Sequence, residues 1–460
     1  MRKRYAVGTA LTGAALARAG DEMSGPALLV AGPVFTGSAT TGPALLAGIT
    51  AAAAVGGPLF GVLLDRSARP GRLLAGALAG YAAALAIVLA SLGHVPVVVT
   101  VIVAVGAGLL GPALSGGWTA QLPRVAPPGL LPRVTALDAM TFNAASLAGP
   151  ALAGLVAGAA GASAGVLVAA ALIFVAVPCA YGLPAGTYVR GLPVRQRSSR
   201  DPNRTDRGAH SGRALSSTSL LAGLAAGFRA VRHTPPLARA TVTSVISCTG
   251  QGMLTACSPL LGARLLGDAR HGVLLLSVIA ASALLANAGL ARRPGPLRPD
   301  TVLACSTAVL AGALLMTAAA GPPALLLGAA VLAGLGEGPQ LTALFAVRHR
   351  EAPEHLRGQV FTTGASLKIT GFALGAGLAG PLAARSLPGA LLTAAALQLL
   401  AGLVFLGCTL LMRRTGARHT GTAGARLMGT TGARLTGTTG TRTRRTKGTR
   451  PFWLRRTPGS

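Results

Sequence analysis

Eleven long apolar runs and a twelfth, more polar one, joined by short connections and flanked on alternate sides by arginine, restrict this chain more than any other feature. A helix needs about 20 apolar residues to cross roughly 30 Å of hydrocarbon. Runs of that kind recur near residues 42–64, 73–93, 95–121, 139–160, 162–186, 240–262, 272–290, 301–320, 324–346, 359–384 and 387–412, with the more polar one near 6–34. The expected fold class is an all-α membrane protein of twelve transmembrane helices.

A formal charge of +30 would suggest a nucleic-acid partner in a soluble protein, so the placement of the basic residues decides what it means. With twelve spans and the N-terminus inside, 36 of the 41 Lys and Arg fall on inner segments, the bias that marks a cytoplasmic face. The charge therefore reports topology and implies no nucleic-acid partner. Both termini are expected in the cytoplasm of a multi-pass protein of the cell membrane, with the basic segments drawn to anionic lipid at about 1 kcal/mol per residue near the surface. Arg2-Lys3-Arg4 and Ala17-Arg18-Ala19 imitate a secretory signal and its cleavage site. The run between them is only weakly apolar, and a first membrane helix from about 6 to 34 accounts for it better.

Gly numbers 64 and aromatics make up only 3%, which suits helices that pack through small residues, since apolar side chains gain little by associating in lipid. The cysteines Cys179, Cys248, Cys257, Cys305 and Cys408 all lie in apolar runs without Cys-x-x-Cys spacing, so neither a disulfide framework nor a zinc site is indicated. His349 and His355 flank Glu351 and Glu354, but Pro353 interrupts any helix that would align them on a metal, and they read as loop residues. GAGLLG at Gly106 and GAGLAG at Gly375 satisfy Gly-x-Gly-x-x-Gly inside membrane spans with no preceding strand, so no dinucleotide site follows. No cofactor and no metal are expected.

Composition divides the chain into a six-span half at 1–186, a polar Arg- and Ser-rich cytoplasmic linker at 187–236, a second six-span half at 237–412 and a disordered basic tail at 413–460. The tail repeats GAR-containing octads from Gly416. The halves are internally similar. Residues 124–154 align without gaps to 350–380, Ala126-Pro127 meeting Ala352-Pro353 and Gly149 meeting Gly375.

The connection between spans two and three reads GVLLDRSARPGRLL from Gly61. It resembles the signature of the major facilitator superfamily, with Gly61, Leu63, Asp65, Arg66 and Arg69 matching, Ala68 in place of a usual glycine and Pro70 in place of a basic residue. The resemblance covers about residues 6–412. It implies two pseudo-symmetric six-helix halves around a central cavity, and a loop that acts as a gate latch. Physically, Gly61 lets two helices approach while Asp65 can meet a helix N-terminus. The second-half counterpart, GLARRPGPLR from Gly289, lacks the acid. Gly149, Pro150 and Gly154 in span five are similar to the Gly-Pro-x-x-Gly-Gly element of proton-driven exporters in that superfamily, with Ala153 replacing one glycine.

Ionisable residues inside spans are the remaining candidates, because each costs about 2.5–3.5 kcal/mol on insertion scales and needs compensation. Arg18, Asp21 and Glu22 lie three and four residues apart on one face of span one. They are the proton-coupling candidates, against the alternative of a permanent ion pair. Glu337 and Lys368 are isolated charges that pair with each other or line the cavity. Asn143, Gln251, Gln340 and Gln398 are cavity candidates for which hydrogen bonding between helices is the competing role. The resemblance implies a secondary transporter of a bacterial, actinobacterial-like efflux type, not an enzyme: a monomer that exports a small molecule against protons. The alternatives are proton-linked nutrient uptake and, more remotely, a polytopic sensor or enzyme.

Overall fold

A computed structural model describes residues 2–38, 40–127, 129–184, 217–267, 271–292 and 298–432. Among them the chain is helical throughout, with no strand. The first half runs α1 (Arg2–Thr36), α2 (Thr41–Arg66), α3 (Pro70–Ser91), α4 (Val97–Pro112) continued by a π turn (Ala113–Gly117), a short α5 (Leu122–Val125), α6 (Leu131–Ala160), α7 (Ala162–Val175) and α8 (Val177–Tyr181). After α9 (Ser217–His233) the second half follows as α10 (Pro235–Leu265), α11 (His271–Arg292), α12 (Pro299–Ala318), α13 (Pro323–Glu351), α14 (Arg357–Arg385) and α15 (Leu387–Gly432).

Local sequence explains many of these limits. Pro70, Pro235, Pro299 and Pro323 open their helices, where the missing N–H has no intrahelical partner to lose. Gly161 separates α6 from α7 at φ 89°, a conformation that a side chain would oppose. Prolines also lie inside helices, as at Pro150 in α6 and Pro339 in α13, and such interruptions are tolerated where neighbouring helices cover the freed carbonyl.

Among the described residues, ten helical segments are long and apolar enough to cross a membrane. The other two bundle helices, α1 and α10, have the length but carry too many polar residues, because they open the two halves and run through the interior. Together they are consistent with the twelve expected spans. Large apolar residues such as Val55, Ile87, Val98, Ile102, Leu155, Leu285 and Leu403 point outward and are exposed, an inverted pattern suited to a lipid solvent.

Close packing comes from small residues. A Cβ on Gly108 would lie 2.7 Å from Ile49 Cα, bringing α4 against α2, and one on Gly338 would lie 3.1 Å from Ala283 Cα, bringing α13 against α11. Gly149 meets Glu22 between α6 and α1, and Gly375 meets Thr249 between α14 and α10. The same helix pairs thus recur in both halves, as the internal duplication requires. Between halves, α2 packs on α14 and α6 on α11.

Two stretches depart from their sequence reading. The expected linker, 187–236, contains α9, which packs against α2, α10 and α14; residues 185–216 lie outside the described residues. The tail, read as disordered from 413, begins as a continuation of α15 to Gly432, with 433–460 outside the described residues. From Thr409 onward the chain forms a separate unit.

Replacing Gly108 by Leu should cost about 1–3 kcal/mol through overpacking against Ile49. Gly106→Leu, on the same helix with open space around it, should cost nothing. Melting of the two purified variants measures the contrast, and equal melting would contradict the packing.

Candidate functional site

Asp65 ends α2, and its carboxylate reaches across to the first turn of α14. Gly358 N donates to Oδ1 at 2.7 Å and Gln359 N donates to Oδ2 at 2.8 Å. Those N–H groups have no intrahelical acceptor and carry the positive end of the helix dipole, so a carboxylate there is doubly favoured. Arg124 and Arg357 add positive charge around it. Gly61 makes the approach possible, since a Cβ there would lie 2.5 Å from Gln359 Cα. Ser366 Oγ, two turns further along α14, donates to Ala53 O of α2 at 2.6 Å. Arg66 faces α9 near Gly223, and Arg69 is exposed at the loop.

The same arginine-rich end is filled by a seam of rings. Phe142 of α6 lies 5.6 Å from Phe345 of α13, and Phe345 lies 5.9 Å from Phe361 of α14, centroid to centroid. With Ala120, Ala139 and Leu341 they form an apolar cluster shared by the two halves. The π turn assists: a Cβ on Gly116 would lie 2.5 Å from Phe361 O.

Arg18 does not turn to Asp21 and Glu22 as its spacing suggested. Its Nη1 meets Asp138 Oδ1 of α6 at 2.8 Å, with both side chains almost fully buried. Nη1 also donates to Asp138 O at 3.0 Å and to Thr141 Oγ1, Nη2 to Thr119 Oγ1 at 3.0 Å, and Nε to Leu114 O at 3.3 Å. Thr119 Oγ1 donates in turn to Asp138 Oδ2 at 2.8 Å, and Phe142 covers the guanidinium at 3.6 Å. The tertiary fold overrides the i, i+3 and i, i+4 neighbours because Asp138 and two hydroxyls together match the guanidinium fork. Asp138 was missed in sequence because it stands at the head of a span, where an acid reads as a loop charge.

Asp21 and Glu22 are therefore left to other partners. Tyr81 Oη donates to Asp21 Oδ1 at 2.8 Å, and Ser146 Oγ donates to Glu22 Oε1 at 3.3 Å. Glu22 also lies within electrostatic reach of Asp21 and, across the interface between halves, of Glu337. Glu337 in turn feels Lys368 on the neighbouring α14. Of the span-five element, Gly149 seats against Glu22 while Gly154 has open space beside it; α6 stays helical through Pro150.

The amides sort differently. Gln340 Nε2 donates to Ser247 Oγ at 3.0 Å and Thr307 Oγ1 at 3.1 Å, Gln251 Nε2 to Gln340 Oε1 at 3.2 Å, and Gln398 Nε2 to Ser247 Oγ at 2.9 Å. This knot ties α10, α12, α13 and α15, so Gln340 and Gln398 serve helix packing. Asn143 is buried with its Nδ2 unpartnered. Asp300 of α12 binds Arg239 of α10 and, at 2.9 Å, Arg350 of α13, giving the second half a charge cluster at the arginine-rich end. Arg239 and Arg348, counted with the connections in sequence, are buried inside helices, as is His349, read as a loop residue. Among the described residues, no group of three or more His, Cys, Asp or Glu is placed to hold a metal.

The sequence matches the Major Facilitator Superfamily over residues 10–376. A search of curated proteins gives no match. Among solved structures, the human organic anion transporter MFSD10 superposes with a TM-score of 0.69 at 15% identity, over 88% of this chain and 100% of that one. A bacterial homologue of the iron transporter ferroportin in its outward-facing state gives 0.65 at 18%, over 88% and 99%. The E. coli fucose:proton symporter gives 0.60 at 14%, over 87% and 98%.

Removing one partner of the Arg18–Asp138 pair strands a buried charge. Asp138→Ala should therefore destabilise by about 3–5 kcal/mol, whereas Arg18→Met combined with Asp138→Leu should recover most of that loss. Thermal melting of the single and double variants tests the pairing, and a double variant as weak as Asp138→Ala would refute it.

Proposed function

The chain belongs to the Major Facilitator Superfamily, and from that premise we propose that it exports a small molecule from the cytoplasm in exchange for protons, by alternating access between its two halves. Membership makes it a multi-pass membrane transporter of a small-molecule substrate rather than an enzyme. The observation that carries the proton reading is a chain of charges that crosses between the halves: Glu22 of α1 lies within electrostatic reach of Asp21 and of Glu337 of α13, and Glu337 in turn feels Lys368 of α14. Asp21, Glu22 and Glu337 repel one another in a low-dielectric interior, and binding a proton removes part of that repulsion. Rocking of the halves separates Glu22 from Glu337, so the same movement alters what holds that proton. Export over import is supported by the likeness of Gly149, Pro150 and Gly154 to the exporter element and by the seat Gly149 makes for Glu22.

In this reading the arginine-rich end is cytoplasmic and the membrane is the cell membrane. The contact of Asp65 with α14, together with the aromatic seam, is the latch holding that end shut. Gly61 supplies the close approach, while Arg66 and Arg69 supply flanking charge. The protein works as a monomer, with its cavity between its own halves.

Proton movement driven by substrate in proteoliposomes should vanish in Asp21→Asn combined with Glu22→Gln; coupling unchanged in that variant removes the assigned proton site. Accumulation in everted vesicles with an acid interior should be inward. Accumulation of the opposite sign would favour proton-linked uptake, the activity of the fucose symporter neighbour. Asp65→Ala gives up two charge-assisted hydrogen bonds, each about 1.5–3 kcal/mol. In a background without the native cysteines it should speed maleimide labelling of Thr362→Cys, buried in the α2–α14 contact, by about tenfold or more.

A further inference from the structure

Buried Arg348 of the second half lacks the acid that buried Arg18 of the first half has. Arg348, in the last turns of α13, is 1% exposed, and its Nε and Nη2 have no hydrogen-bond partner. Beside it, both ring nitrogens of buried His349 are likewise unpartnered. The guanidinium lies against α14 at Gly364, where an added Cβ would come within 2.8 Å of Nη1. Its carbon is 5.9 Å from the Phe361 ring centroid, and the His349 ring is 4.5 Å from the same ring. One turn further along that face of α14 comes Lys368. Cys248 of α10 is within electrostatic reach of Arg348, Lys368 and Glu337 alike.

Arg348 has no arginine counterpart in the first half, since the offset of the internal duplication places it on Leu122, but the duplication shows what the facing helix lacks. Aligning 124–154 with 350–380 places Gly364 on Asp138 and Lys368 on Phe142. In the first half, Asp138 neutralises Arg18 and Phe142 covers the pair. In the second half the acid is absent and the ring has become an ammonium. Glu337 lies within electrostatic reach of Lys368. A guanidinium enclosed in protein without an acceptor is costly, and a ligand carboxylate, sulfonate or phosphate would supply what Asp138 supplies in the first half, with the bidentate geometry a guanidinium favours. The rings of Phe361 and Phe345 give an apolar wall next to it.

We propose that Arg348 and Lys368 hold the anionic head of the transported molecule, which is therefore a small organic anion with an apolar body. This rests on the transport reading above and names its substrate class. Arg348 lies behind Phe361, so the head group is taken up when the seam of Phe142, Phe345 and Phe361 parts.

The test uses the full chain in nanodiscs and four probes with one ring and different heads: benzoate, benzenesulfonate, benzylamine and benzyl alcohol, at matched ionic strength. Benzoate and benzenesulfonate should raise the melting temperature in a saturable way, and the amine and alcohol should not. Arg348→Gln should weaken the apparent affinity for benzoate about tenfold or more, with Arg348→Lys recovering part. Gly364→Asp, which restores the first-half acid, should abolish the benzoate effect by filling the site from within, and it decides the matter if Arg348→Gln does not fold. Stabilisation by all four probes alike or by none, or wild-type benzoate affinity in Gly364→Asp, overturns the proposal. Thr362→Cys labelling that still responds to Asp65→Ala in the same preparation shows that such a failure belongs to the substrate assignment and not to alternating access.

Discussion

Close approach of helix backbones at glycine is the constraint on which this structure rests. In a lipid solvent the bundle gains little from burying leucine against leucine, so its cohesion depends on distances short enough for dispersion and for occasional hydrogen bonds between helices. Gly61 against Gln359, Gly108 against Ile49 and Gly375 against Thr249 provide those distances. Two of these contacts lie within halves and one lies between them. The one between halves is also where Asp65 meets the start of α14, so that interface combines a few directional bonds with the small cluster of Phe142, Phe345 and Phe361.

The interior charges follow a second logic. The first half buries Arg18 and the second Arg239 and Arg348, and they are compensated differently. Arg18 has a carboxylate, two hydroxyls and an aromatic cover, which makes it a fixture of the first half. The carboxylates of α1 take other partners, Asp21 the hydroxyl of Tyr81 and Glu22 that of Ser146, with Glu22 also within electrostatic reach of Glu337 in the second half. A pair that sequence spacing joins is thus split into a static element, Arg18, and a group of carboxylates at the interface.

Much of the fold was legible because a run of about 20 apolar residues means nearly the same thing in any context. The Asp65 loop was legible because its residue types and its place between spans two and three coincide with a family pattern. Partnerships across the bundle were not. Asp138 lies 120 residues from Arg18, and nothing in either local sequence points to the other. Arg348 and His349 were assigned to a connection because a hydropathy scan ends a span where charged residues cluster, while the helix carries on to Glu351. A usable signal did exist there: the alignment that pairs Asp138 with Gly364 shows a charge lost from one copy. α9 was absorbed into a hydrophilic linker although Leu220, Leu224, Gly227 and Val231 recur at helical spacing, because the arginines around them dominate the average.

Gln359 joins two events that would otherwise be independent. Its backbone N–H is held by Asp65, and its side-chain Nε2 donates to the carbonyls of Gly223 and Leu224 on α9, at 2.9 and 3.2 Å. Under the proposed alternating access, α9 must either travel with α14 as it leaves α2 or let go of those carbonyls. In the proposed rocking of the halves α9 is consequently a tether on α14, acting through a residue outside the proposed binding groups.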